Sequence, residues 1–147
     1  MKKLLLLSLL AVSFIFNVNA QEYKIVTVIE SIIPMGLGRS RILEHTQAQD
    51  YRNFTTSRED GKDSKQGDVS RGDAKVDALE ETKLLNFFSG VGINFQNIAS
   101  NDAIVSSKIN EMCKAGWQLA FVTSAVESVG SKDDNNGIFI TRLFFKK

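Results

Sequence analysis

The sequence predicts an α+β fold: a small antiparallel sheet with one main helix packed on a face, interrupted by a long polar loop. Three observations carry this. Residues 23–33 read YKIVTVIESII, a run rich in β-branched side chains. Residues 102–115 place apolar side chains at helical spacing and stop at Gly116. Residues 117–128 and 138–146 are apolar runs separated by a turn-forming segment, SKDDNNG, as in a hairpin.

Ahead of these elements lies a segment with the pattern of an export signal. Lys2 and Lys3 precede an apolar core over residues 4–16, and Val18-Asn19-Ala20 supplies the small residues of a cleavage site after Ala20. The apolar run is shorter than the roughly 20 residues that a membrane-spanning helix needs. The expected mature chain is therefore residues 21–147, a single domain that lies in the periplasm or outside the cell. The signal holds two of the 18 basic residues, so the mature chain carries 16 basic against 17 acidic side chains. That near-neutral balance gives no electrostatic reason to expect nucleic acid or an anionic membrane as partner.

The first strand ends at Pro34, which cannot donate to a ladder and constrains the residue before it. Tyr23, Ile25, Thr27 and Ile29 share one of its faces and Val26 and Val28 the other, so both faces are apolar and a central position is expected. Gly36 and Gly38 follow; without a third glycine at position 41 they read as turn residues rather than a dinucleotide fingerprint. Residues 40–54 suit a helix or a strand equally. Residues 55–78 are rich in Gly, Ser, Asp and Lys and nearly free of large apolar side chains, which predicts a mobile polar insertion. Residues 76–88 fit a helical face or a buried strand, and the run TKLLNFF favours an extended stretch. Gly90 and Gly92 mark a turn before Ile93 and Phe95, which share a face.

In the helix, Asn101 or Asp102 is the expected cap, and Val105, Ile109, Met112 and Cys113 form the apolar face. Gly116 supplies the left-handed terminating residue, and Trp117 is expected at the helix–sheet junction. Leu119, Phe121 and Thr123 should share a strand face with Trp117, opposite Ala120 and Val122. As the lone cysteine, Cys113 precludes an internal disulfide and is expected as a small buried hydrophobe.

Glu22-Tyr23-Lys24-Ile25-Val26, Ala115-Gly116-Trp117-Gln118-Leu119 and the closing Phe144-Phe145-Lys146-Lys147 together resemble the small bacterial domains of unknown function of the DUF4177 type. The resemblance covers about residues 22–33 and 102–147, with Gln118 where those domains usually carry Glu. The middle of the chain departs from them by a long insertion. The resemblance implies an α+β fold and no catalytic residue. The central run LLNFFSGVGINFQNIASND is similar to that of exported proteins of Bacteroidetes-type bacteria.

Reaction chemistry is sparse. The single histidine, His45, lies beside the polar insertion and far in sequence from Cys113, which argues against a nucleophile–base pair or a zinc site. Asp133, Asp134, Asn135 and Asn136 offer oxygen ligands to calcium but lack the spacing that ends in a bidentate Glu, so they read first as a hairpin turn. The leading expectation is a non-enzymatic exported binding or accessory module, with no cofactor, whose partner is a protein or small molecule and which can self-associate. A different class, a small enzyme or anion-binding protein, would use Arg39, Arg41 and Arg142; a third is a calcium-stabilised surface protein.

Overall fold

The computed structural model describes residues 21–31, 39–127 and 137–147. Their elements, in chain order, are β1 (Tyr23–Ser31), β2 (Arg41–His45), β3 (Leu79–Lys83), β4 (Phe88–Ser89), β5 (Gly92–Ile93), α1 (Phe95–Lys114), β6 (Gln118–Val126) and β7 (Ile138–Lys146). Two short 3-10 turns, Tyr51–Phe54 and Lys65–Asp68, lie between β2 and β3. Five strands form one sheet in the order β3-β2-β1-β7-β6, and β4 pairs with β5 in a separate two-stranded ladder. Every strand pairing is antiparallel. The α+β architecture, with one main helix packed with a small antiparallel sheet, is the one expected from the sequence.

β1 takes the central place that its two apolar faces require. Its ladder with β7 runs unbroken from Tyr23↔Lys146 to Ser31↔Ile138. Directly opposed residues share a face, so Val26 stands beside Leu143, and Val28 beside Ile42. These side chains, with Phe145, Leu84 and Met112, are the buried core. From α1, Ile104, Val105 and Ile109 pack onto it, as does Trp117. The junction role expected of Trp117 is thus observed, with Lys147 Nζ lying 5.8 Å from the centre of its ring.

Four details depart from the sequence reading. α1 begins at Phe95 rather than near residue 102, because Asn94 caps it: Oδ1 accepts from the backbone N–H of Asn97 at 3.1 Å. Asn101 is then an interior helix residue, 1% exposed. Cys113 is exposed, because Met112 takes the core-facing place in that turn. Leu119 and Phe121 lie on opposite faces, since a bulge between them adds Ala120 to the strand: Leu119 opposes Phe145 on the helix side, whereas Phe121 opposes Phe144 on the other.

The helix stop is as expected. Gly116 has φ +88°, a conformation that glycine adopts freely, and Lys147 Nζ donates to the carbonyl of Ala115 at 3.0 Å. The ambiguous residues 40–54 divide into β2 and a 3-10 turn. Of the run 82–88 expected as an extended stretch, only Thr82 and Lys83 lie in β3, which starts at Leu79 and is exposed, and Phe88 in β4, while Leu84 is buried outside any strand. Residues 1–20, the Gly36–Gly38 turn and the Asp133–Asn136 turn lie outside the described residues.

Candidate functional site

α1 covers one face of the sheet, and among the described residues no element covers the other, open face. On that face the ladder sets Tyr23, Ile25, Thr27, Ile29 and Ser31 of β1 beside Lys146, Phe144, Arg142, Ile140 and Ile138 of β7. Phe121, Thr123 and Ala125 extend it through β6, and Arg41 and Leu43 through β2. The rings of Phe121 and Phe144 meet at 5.9 Å. Phe121 remains 62% exposed and Tyr23 also 62%, so this is an apolar surface with its side chains only flanked by one another. Contiguous apolar surface of this kind is where proteins meet partners.

Arg142 stands within it, between Thr27 of β1 and Thr123 of β6. Among the described residues its guanidinium makes no ion pair. The arrangement, an arginine between two threonines with Ile140 and Phe144 on either side along its strand, has the composition of an interface centre.

The three arginines that the sequence offers as anion ligands are not brought to one point. Arg39 and Arg41 border a shallow depression of about 280 Å³, together with Ser40, Glu81, Lys83 and Leu84. Arg41 is engaged there: Nη1 meets Glu81 Oε1 at 2.5 Å, and Nε donates to the carbonyl of Arg39 at 3.2 Å. Arg142 is on β7, with β1 between it and β2, a separation of about 10 Å across the sheet. His45 ends β2, its Nδ1 at 3.2 Å from the carbonyl of Gln47. No group of three or more His, Cys, Asp or Glu capable of holding a metal occurs among the described residues.

Two buried polar clusters serve the scaffold. Glu44, on the helix-facing side of β2, meets Lys24 of β1 through Oε1, and Lys108 of α1 lies 2.7 Å from Oε2 as an ion pair not aligned as a hydrogen bond. Burial on its own raises the Glu44 carboxyl, but the charges and contacts of Lys108 and Lys24 outweigh it and hold the group below its usual 4.5. Burial likewise opposes the Lys108 ammonium, and Glu44 and Glu111 reverse this and hold it above 10.5. In the second cluster Asn101 accepts from the N–H of Leu85 at 2.8 Å and donates to its carbonyl at 2.7 Å and to Glu30 at 3.1 Å. Ser40 Oγ accepts from the N–H of Ser31 and donates to Asn86. Together these clasp Leu84–Asn86 against the sheet and the helix.

Of the open face, only Arg41 and Arg142 are among the site residues expected from the sequence, although a signal for the whole face is present there. Ile25, Thr27 and Ile29 make a second apolar face on β1, yet the sequence after residue 20 predicts one main helix to bury either. Two apolar faces and one covering layer leave a face over.

Among the described residues, no helix is long and apolar enough to cross a membrane. No family model, curated protein or solved structure matches the chain.

Proposed function

We propose that the chain is an exported, non-enzymatic binding or accessory module, and that its open sheet face receives an apolar protein surface carrying a carboxylate opposite Arg142. The observation that carries this reading is the open face itself, with Arg142 set among Ile25, Ile140, Phe121 and Phe144 and engaged by no acid among the described residues. A partner that covers the apolar side chains desolvates the guanidinium, which then requires a charged acceptor. Export rests on the Lys2–Ala20 pattern, and a mature N-terminus at Gln21, read from protein recovered outside the cytoplasm, tests it. The likeness to DUF4177-type domains rests on its short motifs and adds no activity.

The binding test is capture from the envelope fraction by residues 21–147, followed by mass spectrometry. The expected result is a partner lost on Ile25→Lys and on Arg142→Glu, and retained on Val91→Lys, a substitution at a fully exposed position away from the face. Identical capture by all four proteins, with their folds intact, overturns the reading.

One observation favours a second reading, anion binding: Arg39 and Arg41 share a depression. Calorimetric titration with inorganic phosphate decides it. Heat of binding that Arg39→Ala abolishes supports it; no heat from the unaltered protein ends it, as the Arg41–Glu81 pair leads one to expect.

A further inference from the structure

We infer that β6 is the seam of a homodimer, in which two copies join edge to edge and antiparallel to make one continuous sheet. The sheet has two edges, β3 and β6. They are built differently. β3 reads LEETK and carries Glu80, Glu81 and Lys83, charges of the kind that protect an edge from pairing with another chain. β6 reads QLAFVTSAV over nine residues, with no charge and no proline. All nine are exposed. Leu119, Val122 and Val126 are 40%, 45% and 57% exposed on the helix side, and Phe121 projects from the opposite side.

This exposure has a cause in the packing of α1. Lys108 reaches Glu44 on β2, and Asn101 reaches Glu30 on β1 and the backbone at Leu85. The helix therefore lies towards the β1–β2 side, and the helix-side residues of β6 are left uncovered. The outer edge of β6 also presents backbone donors and acceptors that a neighbouring strand would satisfy. Side chains on both faces and a ladder on the edge are what a strand presents to another strand.

The occupant that fits is a second copy. An uncharged strand opposes itself without like-charge repulsion, and an antiparallel pair about a two-fold axis makes the contact isologous and closed. An axis perpendicular to the sheet keeps both helices on one side and, with Ser124 on the axis, brings Val122 of each copy against Val126 of the other. Standard dimer interfaces take roughly 800 Å² from each partner, more than a strand edge alone provides; here the two exposed faces of β6 contribute along with the edge. The seam is independent of whether the open sheet face takes a partner.

The test is light scattering and sedimentation on residues 21–147, which contain every described element, at micromolar concentration. The expected particle has twice the mass of one chain. Thr123→Lys, placing a charge in the middle of the seam, should return the mass to that of a monomer. Val126→Lys, near the end of the strand, serves if the first variant does not fold. Thr82→Lys, on the opposite edge, should leave the dimer intact. A monomeric parent overturns the proposal, as does a dimer that survives both β6 substitutions or one that Thr82→Lys dissociates. A monomer whose β6 amides gain exchange protection only on adding envelope extract also overturns it, in favour of a strand from another protein.

Discussion

Glu44 occupies a position where a lone carboxylate would not persist: it faces the core side of β2 and is 7% exposed. Lys24 and Lys108 arrive from two other elements and make the charge tolerable. Because the folded protein holds this carboxyl below 4.5, the cluster stabilises the fold above that value and its contribution is lost as the pH falls through the lower, folded value. For Lys108, held above 10.5, the contribution is complete below 10.5 and is lost only as the pH rises through the folded value. Resistance of the parent to urea should therefore weaken on acidification through and below 4.5. Glu44→Gln should cost roughly 1–3 kcal/mol at neutral pH, less than a fully buried broken pair because lysine heads can reach water. It should also flatten that acid slope, and an unchanged slope would place the acid-sensitive group elsewhere. Nothing in the sequence marks Glu44, since its partners lie on other elements. Asn101 is visible in the sequence but in a different role: a polar residue before an apolar helical face reads as a cap, and only the contact with Leu85 and Glu30 shows that it is a buried clasp.

At the scale of elements, features set by local rules are legible in the sequence. The closing strand Ile138–Lys146 has the expected bounds, and Gly116 has the expected backbone conformation, because both depend on residues close in sequence. Features set by cross-strand register are not. The bulge at Ala120 reverses the faces of every later residue of β6 relative to strict alternation, and it is visible only against β7. Trp117 sits just before that bulge, half-buried against Met112 and the core. Burying a side chain of this size is worth about 2 kcal/mol. For a domain of this length that corresponds to a melting temperature lower by roughly 6–10 °C in Trp117→Ala. Calorimetry measures it directly, and an unchanged midpoint would mean that the ring contributes little to the junction.

At the scale of the whole molecule, the chain divides its apolar and polar residues between two separate regions. The core, the open face and the β6 edge all lie in the sheet and α1, whereas residues 46–78, connecting β2 to β3, are almost wholly exposed. The polar character of that connection is legible in the sequence; the way it is held is not. Its ends continue the β2–β3 ladder, through Thr46 N–H to the carbonyl of Ala78, Asp77 N–H to Gln47 and Gln49 to the carbonyl of Lys75. Beyond these ends, Gln66 bonds to Phe54 and Thr56 within the insertion itself. Since His45 and Leu79 are already paired across the ladder, a short turn can join β2 to β3 directly. Replacing residues 46–78 with a four-residue hairpin turn removes about three doublings of loop length, which favours the folded state by roughly 2 kcal/mol in loop-closure entropy. The hydrogen bonds given up are exposed and individually small. The shortened protein should therefore melt no lower than the parent and up to several degrees higher. A lower midpoint would show that the insertion packs onto the domain, and loss of partner capture at an unchanged midpoint would make the insertion part of the binding surface.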